Sequence, residues 1–131
     1  MKKTGKKYLI DTNIIVDLFG NDEGIKVKLS AAKIIIPSVV IGELFFRAYV
    51  SSRKKTRINE VSEFIGNFEV LYIDEDTARY YGQIKAQLKK SGTPIPENDV
   101  WISALSMQYN LTVATRELHF DKPKNIKVEY W

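Results

Sequence analysis

The chain has 131 residues, 44% hydrophobic and 27% charged, a balance that suits a folded domain and excludes a disordered chain. It contains no cysteine, which excludes disulfides, thiolate zinc sites and a cysteine nucleophile. Twenty Lys and Arg against sixteen Asp and Glu give a net charge of +4, a mild bias towards polyanionic partners.

The opening Met1–Lys7 is basic like the start of a signal peptide, but Asp11 ends the apolar run that follows after three residues. No stretch approaches the length of a membrane span. The expectation is a cytoplasmic protein without membrane contact.

Tyr8, Leu9 and Ile10 read as a buried strand. Ile14, Ile15 and Leu18 then fall at helical spacing, so Asp11, Thr12 and Asn13 mark a strand-to-helix junction. Any of the three can cap the helix, and taken alone Asp11 reads better as a cap than as a functional acid. Phe19–Asp22 is a turn, and Asp22 can cap a short helix.

Lys33–Ile36, ended by Pro37, predicts a second buried strand. Ser38 then reads as an N-cap for a helix from Val39 to about Val50, with Ile41, Leu44, Phe45 and Ala48 facing the core. Glu43 lies in its early turns, where an exposed pair with Arg47 at i,i+4 is the plain alternative to a site role. Phe46, Tyr49 and Val50 are left over, an apolar surplus that suggests contact with another chain.

The spacing predicts further helices over 57–68, 74–90 and 97–109, and strands over 69–73 and 111–115. The acids Asp74, Glu75 and Asp76 suit a helix start, and Ser91-Gly92 a helix stop. Asn98 reads as a cap that leaves Asp99 free. The alternating tail Ile126–Trp131 predicts an edge strand.

Strands alternating with helices predict an α/β fold: one three-layer domain over residues 1–131, with a central parallel sheet of four to five strands flanked by helices. The carboxyl ends of parallel strands share one edge, where ligands bind. Asp11, Glu43 and Glu117 follow such ends closely, and Asp99 joins them if its helix starts there. Two unit charges ~4 Å apart repel by ~4 kcal/mol at an effective dielectric of 20, so converging acids bind cations or take up protons. An oxygen-only donor set favours Mg²⁺ or Mn²⁺.

Ile10–Asn13, Gly42–Leu44, Pro96–Ala104 and Ala114–Phe120 resemble, in order and spacing, the motifs of PIN-domain ribonucleases, especially the VapC-type toxins of toxin–antitoxin modules. The resemblance implies a Mg²⁺- or Mn²⁺-dependent endoribonuclease, a homodimer and a cognate antitoxin. By motif, Asp11 and Asp99 would be the principal metal ligands, with Glu43 and Glu117 binding directly or through water. Glu117 stands where the family more often has Asp, and Asp121 is a lower-ranked substitute. Thr12, Asn13 and Thr115 would support the ligands, while His119 beside Phe120 reads as a packed residue. Arg53, Lys54 and Lys55 form a basic cluster for RNA. Two rival readings are a non-catalytic RNA-binding or dimerisation module and a phosphatase using Asp11 as nucleophile; the phosphatase motif requires an Asp where Asn13 stands.

Overall fold

The computed structural model describes residues 5–131, so the basic opening Met1–Thr4 lies outside the described residues. Five parallel strands form one sheet: β1 (Lys7–Ile10), β2 (Lys33–Pro37), β3 (Glu69–Leu71), β4 (Thr112–Thr115) and β5 (Lys127–Tyr130), in the order β3-β2-β1-β4-β5. The continuous apolar runs occupy the middle. Leu9, Ile10, Ile36, Val113 and Ala114 are fully buried, whereas the edge strands β3 and β5 are only partly covered. The tail thus forms the expected edge strand, paired in parallel with β4.

Among the described residues, six helices flank the sheet: α1 (Thr12–Phe19), α2 (Glu23–Ser30), α3 (Ser38–Val50), α4 (Lys54–Ile65), α5 (Glu75–Ser91) and α6 (Glu97–Tyr109). The main core joins the sheet to α1–α4 and part of α6; Phe120, on the 3₁₀ turn Leu118–Asp121, is buried in it. A smaller core of Ile84, Leu88, Ile95, Val100 and Ala104 fastens α5 to α6. Among the described residues, no helix is long and apolar enough to cross a membrane.

Several element ends differ from the sequence reading. Proline, not Ser38 or Asn98, precedes the first helical turn in both α3 and α6. Pro37 (ψ 141°) and Pro96 (ψ 145°) set an extended entry, and the two polar residues lie within the first turn. The inner face of α3 centres on Val40, Leu44 and Ala48, with Ile41 and Phe45 only partly buried. Helix α4 begins three residues earlier than expected, because the Ser51 hydroxyl accepts from Arg53 N (3.0 Å) and closes the turn before it, and it ends at Ile65 with Gly66 as its cap. Strand β3 stops at Leu71, since Tyr72 is exposed and Asp74 starts a capping box with Thr77. Helix α5 ends at Gly92 in a left-handed conformation (φ 64°), as the sequence suggests.

Strand order reverses between β1 and β4. The chain moves outward from β1 to β2 and β3, returns through α5 and α6, and re-enters beside β1 as β4. The carboxyl ends of β1 and β4 therefore border the crevice where open α/β sheets place ligands.

Candidate active site

Asp11 follows β1 directly, and its backbone N donates to Ala114 O on β4 (3.0 Å). Its carboxylate is both a helix cap and a site acid. Oδ1 accepts from Thr12 N (2.8 Å) at the start of α1, while Oδ2 accepts from the Thr115 hydroxyl (2.7 Å) at the end of β4. Thr115 Oγ1 in turn accepts from Glu117 N (2.9 Å), so one hydroxyl ties Asp11 to the loop carrying Glu117. Asp11 and Asp99 are both buried, at 3% and 7% exposure.

One cleft of about 350 Å³ is lined by Asp11, Thr12, Asn13, Glu43, Arg47, Glu97, Asn98, Asp99, Glu117 and His119. All four acids selected from the sequence thus face one space. Glu43 arrives on α3 and Asp99 on the first turn of α6. Glu117 arrives on the loop after β4. Each is held by a separate partner. Glu43 Oε1 accepts from Asn98 Nδ2 (3.1 Å), Glu117 Oε1 accepts from Asn13 Nδ2 (3.2 Å), and Asp99 Oδ2 meets His119 Nε2. Among the described residues, no three acidic or histidine side chains stand close enough to share one ion as placed. The acids share a cleft rather than a tight cluster, as mutual repulsion requires of unneutralised carboxylates.

The electrostatics bear the same mark. Burial raises the Asp99 pKa to about 6, helped by the charge of Asp11 and opposed by His119. Burial also raises Asp11, against the hydrogen bonds from Thr115 and Thr12, with Glu43 and Glu117 adding to the rise. Two acids with raised pKa values in a cleft are a functional-site signature.

The donor set fits a hard divalent ion: carboxylate oxygens with no sulfur, and a buried Thr12 hydroxyl without a hydrogen-bond partner beside them. Thr115 and Asn13 contact the acids directly, and Thr12 contacts Asp11 through its backbone N. Asp121 does not line the cleft; it lies at the exposed end of the 3₁₀ turn beside Lys122 (3.8 Å).

The sequence profile described as "PIN domain" matches residues 8–125. This chain belongs to the PIN-domain family. The tRNA(fMet)-specific endonuclease VapC of Salmonella typhimurium is 31% identical over 129 residues, covering 95% of this chain and 98% of that protein. Ribonuclease VapC2 of Haemophilus influenzae is 27% identical over 129 residues, with coverage of 95% and 98%. Among solved structures, DNA-bound VapBC from Salmonella typhimurium matches with a TM-score of 0.89 and 30% identity, covering 96% of this chain and 98% of that one. VapBC-1 from nontypeable Haemophilus influenzae matches at 0.86 and 27%, covering 95% and 98%.

Two residues of this PIN domain have a place that the sequence reading did not give them. His119 does pack beside Phe120 (ring centroids 5.8 Å), yet its Nε2 faces Asp99 and Nδ1 lies 4.0 Å from Glu117. Arg47, weighed only as a partner for Glu43, lines the cleft; Glu43 takes Asn98 instead. Its i,i+4 spacing from Glu43 was the available signal, since it places both on one face of α3. Arg53, Lys54 and Lys55 do not line the cleft. They lie at the start of α4, where Lys54 Nζ sits 5.4 Å from the Tyr49 ring.

Proposed function

We propose that this PIN domain is a metal-dependent endoribonuclease that hydrolyses RNA phosphodiester bonds, the toxin of a toxin–antitoxin pair. The observation that carries the reading is the single cleft at the β1/β4 switch point, into which four separate segments bring Asp11, Glu43, Asp99 and Glu117. The naming of its relatives as VapC ribonucleases, matched over nearly the whole length, gives the substrate class.

Asp11 and Asp99 would hold Mg²⁺ or Mn²⁺, with Glu43 and Glu117 binding directly or through water. When bound, such an ion lowers the pKa of water and offsets charge on phosphoryl oxygens. The chain's own residues prepare that step. The Thr115 hydroxyl and Thr12 N fix the Asp11 carboxylate by both oxygens, so it cannot swing away from the cleft. Asn98 and Asn13 orient Glu43 and Glu117 by their amides, leaving the second oxygen of each free of those bonds. His119 steadies Asp99 where burial would otherwise favour its neutral form.

A cognate antitoxin and a second copy of the chain are the proposed protein partners. Phe46, Tyr49 and Val50 support this, at 67%, 57% and 68% exposure on consecutive turns of α3. Arg53, Lys54 and Lys55 belong to the proposal as an outer RNA-binding rim, apart from the cleft.

The test is cleavage of a mixed tRNA and mRNA pool with Mg²⁺ or Mn²⁺, with and without chelator. Wild type cuts only with the ion, and Asp11→Asn does not cut. Equal cleavage by wild type and Asp11→Asn, or none by wild type in either ion, defeats the assignment.

A further inference from the structure

The cleft is walled by acids, so it repels the polyanion proposed as its substrate, and a divalent ion offsets only part of that charge. Among the described residues lining it there is one Lys or Arg side chain, Arg47. His119, the other group able to carry positive charge, is turned against Asp99. Lys85, near the Glu97 side, is engaged with Glu97 at 2.6 Å.

Arg47 is not consumed by a structural role. It makes no ion pair with any described carboxylate, although Glu43 lies one turn before it on α3 and Glu60 lines the adjoining groove. Glu43 is turned towards Asn98, and Glu60 is taken by Arg57 (2.9 Å). The Arg47 side chain is exposed and borders both spaces, the acidic cleft on one side and the groove of α1, α3 and α4 on the other. A guanidinium presents a planar fork of donors that fits two phosphate oxygens at once.

We infer that Arg47 is the residue that binds the RNA backbone at the mouth of the cleft, contacting a phosphate at or next to the bond being cut. This rests on the ribonuclease reading above. Arg47 would contribute to substrate binding and alignment, while the four acids remain responsible for the ion. An acidic peptide is disfavoured as its ligand, because the neighbouring carboxylates repel it without an intervening cation.

The experiment compares wild type, Arg47→Gln, Arg47→Lys and the control Lys33→Gln, an exposed residue at the amino end of β2, on the sheet edge away from the cleft. Steady-state cleavage of bulk tRNA in Mn²⁺ gives KM and kcat. Fluorescence anisotropy of a short labelled single-stranded RNA in Ca²⁺ gives binding across a salt series. Arg47→Gln should raise KM about tenfold with a smaller change in kcat, as loss of a charge-assisted bidentate contact implies. It should also reduce the slope of log affinity against log salt by about 0.7, one phosphate contact on a single strand. Arg47→Lys should recover the salt slope but only part of KM, and Lys33→Gln should match wild type. Unchanged KM and salt slope in Arg47→Gln would overturn the inference, as would a fall confined to kcat. Absence of cleavage by wild type counts against the ribonuclease reading, and the anisotropy series still judges Arg47 by itself.

Discussion

The Thr115 hydroxyl donates to Asp11 Oδ2 at 2.7 Å across the boundary between β4 and β1, and the same oxygen accepts from Glu117 N at 2.9 Å. A residue that is fully buried in the sheet thus sets the orientation of one acid and the path of the loop bearing another. Thr115→Val keeps the shape and removes both bonds. It should cost about 1–3 kcal/mol of stability, because Asp11 and a backbone N–H lose their partners. Thr115→Ser should restore most of it. Chemical denaturation of the three proteins checks this, and wild-type stability in Thr115→Val would show that Asp11 needs no such support.

Burial of Asp99 has a consequence for folding without metal. Its pKa of about 6 in the folded chain lies above the ordinary carboxylate value, and Asp11 is raised as well. The unfolded chain therefore releases these protons at lower pH than the folded one. Ionising the two acids opposes folding, so the stability these groups contribute without metal is fully present below the ordinary carboxylate range and is lost as pH rises through about 6. Glu43, Glu117 and His119 line the same cleft as this pair. Asp99→Asn should remove much of this slope and melt higher than wild type at pH 7 in chelator. A marked drop in its melting temperature there would assign Asp99 to the fold instead of to an ion.

Asn98 joins α6 to α3 through Glu43, a 3.1 Å bond between residues 55 positions apart. Asn98→Asp replaces that donor with a like charge beside Glu43. The variant should fold, with metal-free stability lower by about 0.5–1.5 kcal/mol, the range for a typical hydrogen bond, since this one is exposed. Added Mn²⁺ should recover part of the loss. Thermal melts with and without Mn²⁺ measure it; a loss that Mn²⁺ leaves untouched would separate Asn98 from the metal site.

Phe120 anchors the turn that carries His119 and is fully buried in the main core. Phe120→Ala should destabilise the protein by about 3–5 kcal/mol. Cleavage per folded molecule should also drop, since Glu117 and His119 lose their fixed loop. Retained activity at full folded fraction would mean that the loop holds its course without the ring.

The central sheet was legible because Leu9-Ile10, Ile34-Ile35-Ile36 and Val113-Ala114 are continuous apolar runs that only a doubly covered strand accommodates. Asp11, Glu43 and Glu117 were legible as acids just past strand ends. The helix starts were not, because Pro37 and Pro96 set the chain entry and moved Ser38 and Asn98 inward. That shift gives Asn98 its contact with Glu43. His119 was missed because its position depends on how α6 and the β4 loop meet, which no one-dimensional spacing records. The spacing of Arg47 from Glu43 put both on one face of α3 without showing that the face borders the cleft. Asp11 shows that its two readings do not exclude each other: one oxygen caps α1 and the other turns to the site.

The most direct test is calorimetric titration of Mn²⁺ into chelator-stripped wild type, Asp11→Asn and Asp11→Asn/Asp99→Asn, each confirmed folded by circular dichroism. Saturable binding in wild type, weakened by at least about tenfold in the single variant and absent in the double, is the predicted result. Binding of equal strength in all three proteins would contradict it.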